Sequence, residues 1–520
     1  MASLVILTDQ RFQFFVARRL EIVVGGDRPH YEHPKRRSAY TVKLGRASDS
    51  SILRGNRTQA LGSVRSNFHC AQWSACPRDE QSCRWTPAEL RPRKLCRPDV
   101  LVCNPRVGRT SPFGVAPVRI SRPIAYIVLY VALYAAFGVS SPFWPKFFET
   151  RALTPQQIGL ILAAAMLVRL AVGPVVGMLA DLLGSLRLLL ATCAALAAAT
   201  AAAFLLANTF SLLFLIALVQ AAALAPTTSI ADALSVNAAK PEIAGKPFEY
   251  GWIRGSGSAA FVLGTLTIGQ IIGQDDLTPI IWMNVALLAV AAGVTALLPR
   301  VNIQPKPYEG GLTALAALHG LLKISQFRIL ILVSALVYGS HAMHDAFAVI
   351  RWSAAGIDTP IISVLWSEAV AAEVIVFFLI GPSLLDRLGA RGAAALAAAA
   401  GIIRWSIEGV STSVLVLSIL QPLHGLTFAL LHLACMRMMA TLVPARTAGT
   451  AQALYAFGSG LATAVLTLLS GILFARFGAA AFFPMALLCG VALPCACLAS
   501  GTGLTRLFDP AGRWANGSRK

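Results

Sequence analysis

From residue 123 to residue 500 the chain is a succession of apolar runs of about 20 residues separated by short polar breaks. Few folds can accept that pattern. A helix rises about 1.5 Å per residue, so each run is long enough to cross a hydrocarbon core of roughly 30 Å. Twelve runs can be delimited, at 123–144, 156–179, 187–207, 211–233, 251–273 and 279–298, then 327–347, 359–380, 392–407, 414–434, 450–474 and 480–500. Composition agrees with this: 56% of the residues are hydrophobic and 13% charged, against about a quarter charged in soluble domains. Such a chain needs the bilayer as its solvent. The expected fold class is an all-α membrane protein.

The expected organisation has five parts. Residues 1–119 form a basic N-terminal extension, 120–299 a first six-helix bundle and 300–326 a cytoplasmic linker. Residues 327–503 form a second six-helix bundle and 504–520 a cytoplasmic tail. Charge divides at the same boundary. Up to Arg122 there are 22 Lys/Arg and 9 Asp/Glu, a net of +13, while the remaining residues carry 22 and 15, a net of +7. Most of the basicity therefore belongs to an appendage. The few aromatics there form no stacking platform for nucleic acid. Its cysteines (Cys70, Cys76, Cys83, Cys96, Cys103) have neither CxxC spacing nor matched histidines, so they do not read as a zinc site. Three readings of this extension stand: translation starting near residues 115–118, a disordered tail lying on anionic lipid, or a folded Cys-rich regulatory domain.

Orientation follows from basic residues in short loops. Arg187, Lys240, Lys246, Arg300, Lys306, Lys323, Arg387, Arg391, Arg437 and Arg446 lie in alternate loops, with Arg506, Arg513, Arg519 and Lys520 beyond the last run. The opposite loops hold Lys146, Arg151, Arg351 and Arg476. The first set is expected in the cytoplasm, with both termini, in a cell inner membrane.

The sequence also repeats itself. After the second run stands GMLADLLGSLR, with Gly177, Asp181, Gly184 and Arg187; after the eighth stands SLLDRLGAR, with Asp386, Arg387, Gly389 and Arg391. The two aspartates are 205 positions apart, and Gly255-Ser256-Gly257 and Gly458-Ser459-Gly460 are 203 apart. A nearly constant offset argues for duplication of a six-run unit. In each loop the glycines permit a tight turn, the aspartate sits where a helix N-terminus favours negative charge, and the arginine can pair across the loop. These residues are expected to gate.

Ionisable residues inside the runs are costly unless they are paired or line a wet cavity. They comprise Asp232, Arg254, His341, His344, Asp345, Glu368, Glu373, Arg404, His424 and His432. His341, His344 and Asp345 are spaced i, i+3, i+4 and should share one helical face, whereas Glu368 and Glu373, five apart, should not. Carboxylates and histidines facing a central cavity suit a carrier that takes up a proton on one side and releases it on the other. Hydrogen bonding to a neighbouring helix remains open for His341 and His432, and reaching out of the membrane for Asp345 and Arg404. Glu373, deep in an apolar run with no cation near it in sequence, is the first candidate for proton coupling.

The loop motifs resemble motif A of the major facilitator superfamily, with Pro382 in place of the leading glycine in the second copy. Within it, Ile230-Ala-Asp232, Tyr250-Gly-Trp-Ile-Arg254, Ser340-His341-Ala342, Leu365-Trp366, Ala372-Glu373, Arg404-Trp405 and Leu423-His424 through His432 are similar to the phenylpropionate permease family. That family stands near the lactose-permease-like and nucleoside:proton symporters. The resemblance implies the major facilitator fold, two pseudo-symmetric six-helix bundles, and proton-driven uptake of a small solute with aromatic acids as namesake cargo. Trp252, where the branch usually has arginine, and Glu368, where it has a small residue, leave a neutral or differently charged solute open. Efflux by the same fold and a non-transporting receptor are the alternatives. No P-loop, HExxH helix or paired nucleophile and base stands in the sequence, and no cofactor or metal is expected. The expected partners are a small-molecule substrate, protons and lipid, with the chain a monomer.

Overall fold

The computed structural model describes residues 122–183, 185–238, 250–273, 276–298 and 311–498, all within one compact unit. The N-terminal extension and the C-terminal tail lie outside the described residues. Among those described, every regular element is helical.

The first half contains α1 (Arg122–Ser140), α2 (Trp144–Thr150), α3 (Pro155–Leu183), α4 (Leu186–Ala203), α5 (Phe210–Leu224), α6 (Thr227–Ala238), α7 (Tyr250–Ile271) and α8 (Thr278–Leu297). Then follow α9 (Gly311–Lys323), α10 (Ser325–Gly339), α11 (Ala342–Ala354), α12 (Thr359–Ile375), α13 (Gly381–Val410) and α14 (Val414–Leu420). The chain continues through α15 (Leu423–Gly425), α16 (Leu431–Leu442), α17 (Ala448–Phe477) and α18 (Phe483–Leu498). Helix α9, 13 residues long, lies within a stretch expected only to link the halves.

Among the described residues, eight helical runs are long and apolar enough to cross a membrane, or nine if α1 and α2, bent by 45°, make one span. Two of the eight, 359–410 and 445–497, are 52 and 53 residues long, well over the roughly 20 that one crossing needs. Each contains a glycine at positive φ, Gly389 (66°) and Gly478 (53°). Helix α7 is 22 residues long but carries Arg254, two serines, two threonines and Gln270, so it is not among the apolar eight.

Small residues set the packing, as expected where lipid leaves helix association to close contact and hydrogen bonding. Helix α1 crosses α7 so closely that a Cβ on Gly264 would stand 2.8 Å from the Ala135 carbonyl oxygen. The Thr265 hydroxyl donates to the Gly138 carbonyl at 2.8 Å in the same crossing. Between the halves α3 packs on α17, α7 on α12 and α2 on α11. The Gly159 and Gly471 backbones touch in the first of these seams, and in the second the Thr359 hydroxyl donates to the Ile272 carbonyl at 2.7 Å.

Three departures from the sequence-based expectation affect the site. The seventh run is not one helix: it breaks at Ser340–His341, between α10 and α11. The ninth runs on to Val410, past the expected end at Ile407. The eighth and tenth each contain a π-helical turn, Val376–Ile380 and Leu426–Leu430, a local widening often found at functional sites.

Candidate functional site

Six ionisable side chains from four stretches of the second half meet in its buried interior. Arg404, on α13, is fully buried, so it does not reach out of the membrane. One of its terminal nitrogens, Nη1, is 2.9 Å from His424 Nδ1. The other, Nη2, is 3.3 Å from His344 Nε2 and 3.0 Å from Gln421 Oε1. Its guanidinium carbon lies 4.5 Å from the Trp405 ring centroid, a cation–π contact. His344 Nδ1 stands 2.7 Å from Glu408 Oε1, and His424 Nε2 stands 3.4 Å from Glu373 Oε2. Helix α7, packed on α12, brings Arg254 within electrostatic range of Glu373.

Donor chemistry fixes the protons in this network. A guanidinium only donates, so the histidine nitrogens facing Arg404, Nδ1 of His424 and Nε2 of His344, must accept. The proton of each neutral imidazole then sits on the other nitrogen. That puts the His424 proton on Nε2, the nitrogen 3.4 Å from Glu373 Oε2, a contact without hydrogen-bond geometry, while His344 donates to Glu408 at 2.7 Å. One arginine thus sets two tautomers, placing one imidazole proton in a hydrogen bond to Glu408 and the other on the nitrogen nearest Glu373. Adding a proton to either imidazole requires its contact with Arg404 to break.

His341 completes the group differently. Its ring packs against Trp405 and His424 with centroids 5.0 and 5.1 Å apart, and neither nitrogen has a hydrogen-bond partner among the described residues. The expectation that His341, His344 and Asp345 share one uninterrupted helical face is corrected by the break between α10 and α11. Both histidines pack on Trp405, whereas Asp345 lines a cavity between the halves with Ser141, Met166, Trp366 and Thr467.

The other candidates lie elsewhere. Glu368 accepts from the Ser418 hydroxyl at 2.7 Å, and its neighbour in the sequence argument, Trp252, is 75% exposed. Neither departure from the family pattern touches the Arg404 network. His432 faces Tyr455, whose hydroxyl is 3.4 Å from its Nδ1 and donates to Tyr338 at 3.0 Å. In the first half, Asp232 accepts from the hydroxyls of Tyr130 and, at 2.6 Å, Tyr250. Arg254 lies over the Tyr134 ring, 4.7 Å from its centroid.

Arg187 donates to the Leu298 carbonyl at 2.5 Å, at the end of α8. The Asp181 side chain, the surroundings of Gly177, and Gly184 itself lie outside the described residues. In the second copy Asp386 pairs at 2.5 Å with Arg437 from α16, and not with Arg387 or Arg391. Gly389 (φ 66°, ψ 171°) makes the turn between them.

Sequence reasoning missed Glu408, Arg169 and the tyrosines Tyr126, Tyr130 and Tyr134. Each left a signal. Glu408 is four residues after Arg404, the tyrosines recur every four residues on one face of α1, and Arg169 is a cation inside an apolar run.

The chain matches the model of the MFS_1 like family over residues 124–485, more than half its length. It belongs to that family. Members of the MFS_1 like family are transporters, not enzymes. This member is 32% identical over 371 residues to the Escherichia coli (strain K12) protein described as "Probable 3-phenylpropionic acid transporter", covering 70% of this chain and 94% of that one. It is 25% identical over 376 residues to the maltose permease of Geobacillus stearothermophilus, covering 71% and 93%. Among solved structures, the nucleoside transporter NupG superposes with a TM-score of 0.65 at 17% identity, covering 73% of this chain and 98% of that one. A bacterial homologue of the lysosomal transporter Spinster, inward-facing and unoccupied, gives 0.58 at 16% identity, covering 76% and 100%. At these identities the structures speak for the fold.

Proposed function

We propose that the chain is a proton-coupled carrier that takes up a small organic solute by alternating access. Its twelve crossings form two six-helix bundles. The two overlong runs then count as two crossings each, broken at Gly389 and Gly478, and α7 is the twelfth, made polar by the site residues it carries. Excess Lys and Arg in alternate loops put both termini in the cytoplasm of an inner-membrane protein acting as a monomer.

One observation carries the coupling. Glu373, buried, has its Oε2 3.4 Å from Nε2 of His424, whose other nitrogen is held by Arg404. A proton arriving at Glu373 removes the negative charge from that pair and weakens the line of contacts running from Glu373 through His424 to Arg404, His344 and Glu408. These side chains come from α11, α12, α13 and α15, so the proton's arrival is felt in four helices at once. Rocking of the halves around the site then follows the protonation state. The cargo is an aromatic monocarboxylate, by likeness to the Escherichia coli "Probable 3-phenylpropionic acid transporter". The two substitutions that pointed away from an acid, Trp252 and Glu368, stand apart from the network.

The test is uptake of 3-phenylpropionate into reconstituted vesicles. An acid-outside gradient should drive accumulation, and Glu373→Gln should abolish that accumulation while solute exchange at equal pH continues. Uptake that ignores the gradient would sink the coupling; exchange lost together with accumulation would move Glu373 from proton coupling to cargo binding.

A further inference from the structure

Arg169 lies fourteen residues after Pro155 in α3, about 21 Å along the helix and thus deep in the membrane. A cation there is costly and marks a functional position unless something compensates it. Among the described residues nothing does. Arg169 makes no hydrogen bond, ion pair or ring contact, and its Nε is fully buried. The contrast with Arg404, held by three side chains, is sharp.

The same side chain lines a cavity bordered by α2, α3, the end of α4 and α5. Trp144, Phe148 and Phe204 form an aromatic wall, with Trp144 and Phe204 centroids 4.7 Å apart. Gln220 also lines the cavity; its side-chain oxygen is engaged by the Thr200 hydroxyl while its buried Nε2 has no acceptor among the described residues. The lining contains no Asp or Glu. Its two unsatisfied polar groups therefore both donate, and one is cationic. A ligand that fits must bring an anionic acceptor at one end and an apolar, flat body at the other.

We propose that Arg169 and Gln220 bind the carboxylate of a small aromatic monoacid whose ring packs on Trp144, Phe148 and Phe204. The inference rests on the reading of the chain as a carrier of such a solute and adds a location for it, in the first half. Leu162 lines both this cavity and the one between the halves that holds Asp345. It is the side chain a solute passing between the two would have to displace.

Binding separates this site from transport. Labelled 3-phenylpropionate and labelled 3-phenylpropionamide are each titrated against the purified protein in lipid nanodiscs. Arg169→Gln should weaken the acid by about tenfold or more, the loss of one charge-assisted contact, and leave the neutral amide within about twofold. Arg169→Lys should recover part of the acid affinity. Ala221→Phe, which fills the cavity from α5 and leaves the guanidinium in place, should remove binding of both, and it decides the matter if Arg169→Gln does not fold. Acid binding unchanged by Arg169→Gln and Ala221→Phe overturns the site. So does a wild-type protein that binds no aromatic acid yet moves another solute, and in that case the transport reading survives. Arg169-dependent binding without movement across vesicles supports the site and sinks the transport reading instead.

Discussion

Glu408 and His344 meet at 2.7 Å in the buried interior of the second half, and Arg404, one helical turn before Glu408, touches the other nitrogen of the same imidazole. The carboxylate is thus the counter-charge for a guanidinium it reaches through a histidine. Removing it alone strands a buried cation. Glu408→Leu should therefore cost about 3–5 kcal/mol, seen as a lower melting temperature in detergent. The double variant Arg404→Leu with Glu408→Leu should regain most of that stability, since an apolar pair of similar volume carries no desolvation penalty. Uptake should be absent in the double variant, because His424 has lost the Arg404 donor that places its proton on the nitrogen nearer Glu373. A double variant as unstable as the single one would mean that the two charges do not compensate each other.

Much of the architecture was legible in the sequence, because hydropathy over twenty residues averages out local error. The runs expected at 156–179 and 279–298 appear as helices Pro155–Leu183 and Thr278–Leu297. The same averaging hid single residues. Arg169 disappears in a run of leucines and alanines, and ending the ninth run at Ile407 cut off Glu408, although its spacing from Arg404 was visible. The tautomers of His344 and His424 could not be read at all, since they depend on distances between helices far apart in sequence. The break at Ser340–His341 was hidden for another reason: neither residue is a helix breaker, and tertiary packing decides there.

Asp232 supplies a second test. Its carboxylate accepts from Tyr130 on α1 and Tyr250 at the start of α7, tying both helices to α6. Hydrogen bonds to a charged group are worth about 1.5–3 kcal/mol when buried. Tyr130→Phe, at a fully buried position, should lower thermal stability by that order, and Tyr250→Phe, only half-buried, by less. The two losses should not add, since they share one acceptor. Strictly additive losses in a double-mutant cycle would argue against a shared role.

The seam between α3 and α17 predicts a conformational effect. A Cβ on Gly471 would stand 2.5 Å from the Pro155 carbonyl oxygen and 3.2 Å from the Gly159 Cα, so any larger side chain must push the two helices apart. Gly471 lies at the same end of the bundle as the Thr359–Ile272 contact between α12 and α7. Gly471→Leu should open that end, and a cysteine at Thr359 should then react roughly tenfold faster with an impermeant maleimide, a population shift of about 1.4 kcal/mol. An unchanged labelling rate would show that the seam does not hold this end closed.

Gly389 separates backbone strain from packing. Its φ of 66° with ψ of 171° belongs to a region that is essentially reserved for glycine. A Cβ built there meets nothing within 4 Å, so a substitution creates no clash. Gly389→Ala should thus be penalised by backbone conformation alone, about 1–3 kcal/mol. Gly449, inside α17, also has open space but helical geometry. Gly449→Ala should be neutral or stabilising by up to about 1 kcal/mol. Asp386, three residues before Gly389, pairs with Arg437 across this turn, so straightening the turn moves its carboxylate. Gly389→Ala should therefore lower transport and stability together. Asp386→Asn, which breaks only a half-exposed ion pair worth less than about 1 kcal/mol, should lower transport with little change in melting temperature. Equal stability losses in Gly389→Ala and Gly449→Ala would show that the turn is not strained in the way its dihedral angles require.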